Sequence, residues 1–276
     1  MKIARFLAAG SERIGIVDGE DVIDSGYAGS MLELITEWDS LSRNLAGSGE
    51  RRRLADITLL APVPRPGKIF AIGLNYADHI AESKMKTPER QVWFTKAQTS
   101  INAPFAPIVI AKGATFVDYE VELVAVIGKR AKHVSAANAP SHVFGYMVGN
   151  DVTERMWQHA TAQWSLGKSF DTHAPTGPWI TTSDEVGDPH ALDLSCTVNG
   201  EVRQNSNTRH LVFNLWQQIE HLSAAMTLEP GDLVFTGTPG GVGAAMDPRQ
   251  FLKAGDVVRC DIEKLGHIEA VMQDEG

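Results

Sequence analysis

The chain has 276 residues, of which 43% are hydrophobic and 21% are charged. This composition is typical of globular proteins, and the length is ample for a buried core. The 34 acidic and 25 basic residues give a formal net charge of -9, and the basic residues cluster only at Arg51-Arg52-Arg53. This charge balance argues against nucleic acids and anionic membranes as partners.

The sequence predicts neither a secretion signal nor a membrane span. Arg5 interrupts an apolar start that is already short for a signal peptide, and no run approaches about 18 uninterrupted apolar residues. The two cysteines, Cys196 and Cys260, each stand alone in a strand-like segment without CxxC or histidine spacing. A disulfide framework or a thiolate metal site is therefore not expected, and a reducing cytoplasm fits these features best.

The first sixty residues predict a small β meander followed by one helix. Residues 1–24 contain short apolar runs that are separated by turn residues, including an Asp-Gly pair. Apolar residues then recur at helical spacing from Met31 to Leu41, after Ser30 and before Gly47. This pattern predicts a single amphipathic helix.

Three alternating prolines in residues 61–67 can continue neither a helix nor a central strand. We therefore predict a linker there, between a small N-terminal domain over 1–60 and a larger catalytic domain over 68–276. The larger domain carries one apolar helical face, from Leu211 to Met226. Apolar runs of strand length cover residues 68–74, 108–111, 123–127, 143–148, 233–235 and 257–262.

These strands do not alternate regularly with helices. A doubly wound sheet and a TIM barrel are therefore not expected. The sequence predicts an α+β fold class dominated by β structure, in the form of a sandwich or roll.

Glu120 and Glu122 occupy alternate positions in an otherwise apolar run, so both side chains project from one face of a strand. Uncompensated charges in such a setting cost roughly several kcal/mol each, and a bound cation would compensate them. Asp151 follows another apolar run and supplies a third oxygen ligand in this interpretation. Carboxylate ligands suit Mg²⁺, Mn²⁺ or Ca²⁺. The spacing alone is equally compatible with glutamates that point to water.

His79 and Glu82 are three residues apart, so one helical turn would place them on the same face. A carboxylate that orients an imidazole makes a general base near neutral pH, although exposed residues at a helix start give the same pattern. The polar segment 83–90 suggests a lid. Lys168 is a candidate cation for an oxyanion or enolate, while a lone lysine is more often a surface charge.

Arg155 and Gln158 follow Asp151 by four and seven residues, so both would share a helix face that reaches the metal. The glycine-rich segment 236–243 could hold an anion through backbone N–H groups. It lacks the signatures of a P-loop and of a dinucleotide fingerprint. We expect a tight turn there that offers the Thr238 hydroxyl to a substrate carboxylate.

Six short motifs follow one another in order over about residues 66–272. They are Tyr119-Glu120-x-Glu122-Leu123, Gly149-Asn150-Asp151-Val152-Thr153, Gly167-Lys168-Ser169, Asn199-Gly200-Glu201, Pro230-Gly231-Asp232 and Thr236-Gly237-Thr238-Pro239. Each motif is weak alone, but the ordered set resembles the fumarylacetoacetate hydrolase family. The resemblance implies a mixed β-sandwich roll that is usually a homodimer.

The resemblance also implies roles for individual residues. The metal ligands for Mg²⁺ or Mn²⁺, with Ca²⁺ as a substitute in crystals, would be Glu120, Glu122 and Asp151. The catalytic residues would be His79, Glu82 and Lys168, and the substrate-binding residues Arg155, Gln158 and Thr238. Relatives commonly carry an acidic residue after the arginine, whereas this chain has Met156, which affects the substrate identity that Arg155 would select.

The implied substrate is a small 2-oxo acid that chelates the metal, as in a catabolic enzyme. The leading expectation is hydrolysis of a carbon-carbon bond in a 2,4-dioxo acid, such as an acylpyruvate, a fumarylpyruvate or a 2,4-diketo-3-deoxy sugar acid. In this reaction His79 and Glu82 activate water, and Lys168 steadies the developing charge. The products are a carboxylate and a 2-oxo acid such as pyruvate.

Two alternatives remain open at this point. The first is decarboxylation or tautomerisation of a 2-oxo dicarboxylate, of the oxaloacetate or 2-hydroxyhepta-2,4-diene-1,7-dioate type, which needs no attacking water. The second is a non-catalytic protein that binds a metal and an oxo acid. The joint presence of His79, Glu82 and Lys168 weighs against this second alternative.

Overall fold

The computed structural model describes residues 1–45, 49–83, 86 and 88–276, and of Asn44, His79, Ala81 and Ser83 it describes the backbone alone. The described part of the chain contains nineteen β-strands and six α-helices. The predicted α+β class with dominant β structure is confirmed.

The strands are β1 (Lys2–Ala8), β2 (Ser11–Asp18), β3 (Asp21–Asp24), β4 (Arg51–Arg53), β5 (Thr58–Leu60), β6 (Ile69–Gly73), β7 (Val92–Thr95), β8 (Ile101–Asn102), β9 (Ile108–Ile110), β10 (Val117–Asp118), β11 (Val121–Ile127), β12 (Val143–Asn150), β13 (Thr153–Glu154), β14 (Ala174–Thr182), β15 (Asp193–Val198), β16 (Glu201–Asn207), β17 (Leu233–Phe235), β18 (Val257–Ile262) and β19 (Gly266–Asp274). The α-helices are α1 (Met31–Thr36), α2 (Trp38–Leu41), α3 (Ala77–Ser83), α4 (Arg155–His159), α5 (Ser183–Val186) and α6 (Leu215–Ala225). Short 3-10 helices cover Ser42–Asn44, Leu54–Asp56, Gln98–Ser100, Ala139–His142, Thr208–His210 and Gly243–Ala245.

A twelve-stranded mixed sheet runs through the molecule in the order β4-β3-β2-β1-β14-β12-β11-β17-β6-β7, with β5 beside β1 and β8 beside β14. The N-terminal meander belongs to this sheet, because β1 pairs with β14 through Lys2 and Thr181. A second sheet of five strands has the order β16-β15-β18-β19-β9, and β10 pairs with β13 alone.

The main core lies between the two larger sheets, where β11 packs on β15 and β18 and β12 packs on β18 and β19, and residues of α6 belong to the same core. Alternate residues of β11 serve different cores, since Leu123 and Ala125 belong to the main one and Val124 and Val126 to a second. Because β11 is buried on both faces, its sequence reads as a nearly continuous apolar run. An acidic side chain at this strand therefore lies deep inside the protein.

The segment after Ser30 forms two helices, so the prediction of a single helix was wrong. Ser30 caps α1 through its side chain, and Glu37 separates α1 from α2 with a backbone outside the helical range (φ -104°, ψ 19°). The break lets the Trp38 ring pack edge-on against Phe144, with 5.0 Å between ring centroids. Gly47, expected to follow the helix, lies outside the described residues.

One further expectation, the length of the last helix, needs correction, and two details are added. The arginine cluster Arg51–Arg53 forms strand β4, which pairs with β3. Helix α6 is shorter than its apolar pattern, because Asn214 caps it and Leu211 lies before the cap. The two cysteines are direct cross-strand neighbours in β15 and β18, and both are buried free thiols. No helix among the described residues is long and apolar enough to cross a membrane.

Candidate functional site

Glu120, Glu122 and Asp151 meet where two central strands adjoin. Strand β11 pairs antiparallel with β12 from Val121 opposite Asn150, so the first residues of β11 lie beside the residue that follows β12. Each of the three side chains offers one carboxylate oxygen, and these oxygens lie within 4.8 Å of one another. The predicted convergence of three acidic side chains is therefore observed, and we call this cluster the acidic triad.

The acidic triad is buried, with exposed fractions of 5% for Glu120, 1% for Glu122 and 0% for Asp151. Burial, followed by the negative charges of Asp151 and Glu120, raises the pKa of Glu122 well above its ordinary value. Carboxylates repel one another most strongly where water is excluded. Positive charge at this point would therefore stabilise the ionised triad.

Two buried lysines supply part of that charge. The Lys168 ammonium lies 2.6 Å from an oxygen of Glu120 and 2.6 Å from an oxygen of Asp151. The Lys96 ammonium lies 2.6 Å from the other oxygen of Asp151 and also donates to the Lys168 backbone carbonyl. Lys168 is thus not a surface charge. Lys96 was missed from the sequence, and its position directly after the apolar run of β7 was the only available signal.

The two lysines differ in the balance of forces on their ammonium groups. Burial acts to lower the pKa of Lys168, but the charges of Asp151 and Glu120 outweigh it and the pKa is raised. At Lys96 burial prevails, and the pKa is lowered despite the neighbouring Asp151. Lys168 is therefore the more firmly charged of the two.

The residues of the triad fit a hard divalent cation. An ammonium already bridges Glu120 and Asp151, which shows that these oxygens are arranged for a positive charge. Three carboxylates form a donor set that suits Mg²⁺ or Mn²⁺ and leaves coordination positions for a substrate. Glu120, Glu122 and Asp151 are thus the side chains that could hold such an ion.

Arg155 opens helix α4 and is held by a residue that the sequence did not single out. Asp118, fully buried, accepts hydrogen bonds from Arg155 Nε at 2.9 Å and Nη2 at 2.7 Å. Arg155 Nη1 then lies 2.6 Å from Glu120 and 3.0 Å from the Gln158 side-chain oxygen. Asp118 therefore sets the direction of the guanidinium toward the triad. Its place beside the Tyr-Glu-x-Glu motif was the only sequence signal.

The glycine-rich segment 236–243 holds anions, but they are carboxylates of the chain itself. Gly237 N–H donates to Glu122 at 2.8 Å, and Gly241 N–H donates to Glu82 at 2.6 Å. Gly243 N–H donates to Asp118 at 2.8 Å. One loop thus fixes three carboxylates, one from helix α3 and two from the neighbouring strands β10 and β11.

Thr238 lies at the wall of the cavity, but its hydroxyl is engaged within the protein. It donates to the Val121 carbonyl at 3.0 Å and accepts from Gln204 Nε2 at 2.8 Å. In this arrangement the hydroxyl has no hydrogen left for a substrate carboxylate, which was its predicted role.

His79 and Glu82 both lie in helix α3, as the three-residue spacing predicted. The His79 side chain lies outside the described part, and the predicted lid over 83–90 falls partly on residues outside it. The helix is tied to the rest of the site by two side chains. Glu82 accepts from Gly241, and Asp78 accepts from the Ser206 hydroxyl at 2.8 Å.

A cavity of about 550 Å³ lies next to the triad. Glu82, Glu120, Arg155, Gln158 and Thr238 line it, together with Phe94, His159, Trp164 and six glycine and aliphatic residues. This volume suffices for a small organic acid. Five of the nine predicted site residues therefore face one space, with Glu122, Asp151 and Lys168 directly behind Glu120.

The fold and the site together define a β-dominated protein with a buried cluster of three carboxylates that could hold a metal ion, next to a cavity. Two family models match the chain: Fumarylacetoacetate (FAA) hydrolase C-terminal over residues 68–273, and Rv2993c-like, N-terminal, over residues 1–62. The chain belongs to the fumarylacetoacetate hydrolase family.

Individual relatives are similar over most of the chain. The oxaloacetate tautomerase Fahd2a, mitochondrial, of Rattus norvegicus is 42% identical over 265 residues, which cover 89% of this chain and 85% of the relative. A fumarylacetoacetate hydrolase structure from Exiguobacterium antarcticum has a TM-score of 0.88 and 38% identity, with full coverage of both chains. The maleylpyruvate hydrolase of Sphingobium sp. SYK-6, in complex with manganese (II) ion and pyruvate, has a TM-score of 0.86 and 32% identity, again with full coverage of both chains.

Proposed function

We propose that the chain is a divalent-metal-dependent tautomerase that interconverts the keto and enol forms of a 2-oxo dicarboxylate of the oxaloacetate type. The observation that carries the proposal is the convergence of Glu120, Glu122 and Asp151 beside a cavity, with Lys168 bridging two of them. A divalent cation held there supplies Lewis-acid stabilisation to the oxygen that becomes negative when carbon 3 loses a proton.

The side chains of the cavity can carry out the proton transfer. Glu82 lines the cavity and is fixed by Gly241, so its carboxylate can take a proton from carbon 3 and return it there. The Lys168 ammonium offsets negative charge on the 2-oxygen. Arg155 and Gln158 line the same space and orient the substrate carboxylate. The proton gained at carbon 3 balances the proton lost from the enol hydroxyl.

The relatives favour tautomerisation over hydrolysis as the first candidate. The Rattus norvegicus relative named an oxaloacetate tautomerase is 42% identical, whereas the maleylpyruvate hydrolase structure is 32% identical. Tautomerisation also needs no residue that activates water. Tautomerisation, which was the first alternative in the sequence analysis, thus replaces hydrolysis as the leading candidate.

Hydrolysis of a 2,4-dioxo acid is the second candidate. The maleylpyruvate hydrolase, whose solved complex contains manganese and pyruvate, shares the fold over the full chain. Helix α3 also carries His79 one turn from Glu82, as water activation would require. In this reaction His79 would take the proton of the attacking water.

The deciding experiment follows enol-oxaloacetate, added to the chain with Mg²⁺ or Mn²⁺, by its ultraviolet absorbance and by proton NMR. We expect the enol to disappear faster than without protein, with keto-oxaloacetate formed before any pyruvate. A chelator should abolish this acceleration. Glu122→Gln should bring the rate close to the uncatalysed value, since it removes one negative ligand, while Glu20→Gln, an exposed glutamate of the N-terminal meander, should not change it.

The same assay separates the alternatives by their products. Pyruvate formed from oxaloacetate without prior keto accumulation would indicate a decarboxylase. Cleavage of acetylpyruvate to acetate and pyruvate, with the oxaloacetate enol decaying only at its uncatalysed rate, would replace the proposal by hydrolysis. Metal-dependent binding of oxalate without turnover of any of these acids would indicate a binding protein.

A further inference from the structure

A second cavity adjoins the active-site cavity on its outer side. Its volume is about 540 Å³, and it shares Arg155, His159 and Ala244 with the inner cavity. Its other walls are apolar except for Arg249 and include Phe116 and Met156, which are 39% and 53% exposed. The shared residues form the border between the two cavities, so the outer cavity lies directly beside the space next to the acidic triad.

The buried cations of the inner site are already committed to carboxylates of the chain. Lys96 and Lys168 both contact Asp151. Arg155 is held by Asp118 on one side and by the triad on the other. Within the described residues, the inner site therefore offers no uncommitted lysine or arginine to a second carboxylate of a substrate.

Arg249 differs from these cations. Its side chain is exposed, and within the described part of the chain it makes neither an ion pair nor a hydrogen bond. Its charge acts on the same space as that of Arg155, because burial and then these two arginines lower the pKa of His159. The positive charge of the imidazolium form of His159 is thereby disfavoured, and among the residues described Arg249 is the uncommitted cation of the outer cavity.

We propose that Arg249 binds the distal carboxylate of a 2-oxo dicarboxylate and thereby selects dicarboxylates over 2-oxo acids with a neutral tail. A guanidinium offers a planar pair of donors that matches a carboxylate, and the apolar walls accommodate the methylene chain between the two ends. This inference rests on the proposed function in one respect, since it places the 2-oxo acid end at the triad.

The test measures binding by isothermal titration calorimetry to the chain loaded with Mn²⁺. The probes are two pairs of equal chain length, 2-oxoglutarate with 2-oxopentanoate and 2-oxoadipate with 2-oxohexanoate. Arg249→Gln should weaken binding of at least one dicarboxylate about tenfold or more and leave its neutral partner unchanged. Lys253→Gln is the matched control, because Lys253 borders a neighbouring groove with Arg249 but not the outer cavity.

The proposal is overturned if Arg249→Gln weakens the dicarboxylate and its neutral partner equally, if it weakens neither dicarboxylate, or if the unaltered chain binds neither. The same loss in Lys253→Gln would reduce the effect to general surface charge and would also overturn it. If Arg249→Gln selectively weakens dicarboxylate binding but the chain turns over no oxaloacetate, the role of Arg249 holds and the proposed function fails. If the chain turns over oxaloacetate but Arg249→Gln has no selective effect on binding, the proposed function holds and the role of Arg249 fails.

Discussion

Replacement of Asp118 by asparagine should both destabilise the protein and weaken substrate binding. One oxygen of Asp118 accepts from Arg155 Nε, Arg155 Nη2 and Ala244 N–H, while the other accepts from Gly243 N–H and Tyr119 N–H. The asparagine amide keeps one carbonyl oxygen, which can still accept from Gly243 N–H and Tyr119 N–H. Its NH₂ group would face three donors, so the buried Arg155 would lose one of its two counter-ions and keep only Glu120.

The expected size of the effect follows from the burial of the pair. The Asp118 side chain is 0% exposed and that of Arg155 is 11% exposed, so solvent screens the interaction little. Removing one partner of a buried ion pair costs about 3–5 kcal/mol. We expect the free energy of unfolding to fall by about this amount, and the KM for oxaloacetate to rise more than kcat falls, because Arg155 loses its orientation.

The assay is urea unfolding followed by circular dichroism, combined with a double-mutant cycle. Asp118→Asn, Arg155→Met and the double variant should be non-additive, with the double variant more stable than the sum by about 2–3 kcal/mol. Additive losses, or a loss below about 1 kcal/mol for Asp118→Asn, would refute the reasoning that the two side chains form one unit.

Three further perturbations test other parts of the structure. His173 is buried and donates to the Val109 carbonyl at 2.9 Å, and burial lowers its pKa to about 4. Because the histidine of the unfolded chain takes up a proton near pH 6.5, the free energy of unfolding should fall by about 1.4 kcal/mol per pH unit from pH 6.5 down to pH 4. His173→Gln should remove this pH dependence in urea unfolding. Lys96→Met removes one of two ammonium groups on Asp151, so thermal unfolding should shift further down in chelator than in Mn²⁺. Gly243→Ala would place a Cβ 1.8 Å from the Gln250 carbonyl oxygen, and the required backbone shift should cost about 1–3 kcal/mol in chemical unfolding.

Each of these predictions has its own contrary result. His221, exposed on α6, provides the control for His173, and an unchanged pH slope in His173→Gln would contradict the linkage. Equal thermal shifts in chelator and Mn²⁺ would show that Lys96 does not compensate the triad. If Gly243→Ala unfolds at the same urea concentration as the unaltered chain, the loop tolerates the added side chain.

Much of the fold was predictable from short-range patterns. The alternation of faces along a strand and the apolar runs identified most of the central strands, and Ser30 marked the start of a helix through its capping side chain. These signals are local, because rotamer preference, backbone φ and caps depend on a few neighbouring residues. The acidic residues were candidates from their spacing, which was equally compatible with side chains that point to water, and the resemblance to the family selected them as metal ligands.

The structure changed the interpretation wherever partners are distant in the chain. Lys96 meets Asp151 across 55 residues, and Gly241 meets Glu82 across 159. The spacing of residues along the chain does not reveal such contacts, because the order and register of the strands determine which distant residues become neighbours. The break between α1 and α2 accompanies another distant contact, the packing of Trp38 against Phe144 on a strand more than a hundred residues later.

The sequence alone therefore determined the strand-rich class, and the family resemblance that it carries named the three acidic side chains and a helical turn with His79 and Glu82. Only the tertiary structure decided that two lysines supply part of the positive charge that the triad requires, that Asp118 orients Arg155, and that the glycine-rich loop holds the chain's own carboxylates rather than those of a substrate. The physical reason is that side-chain alternation is a property of each strand, whereas electrostatic compensation depends on which strands become neighbours.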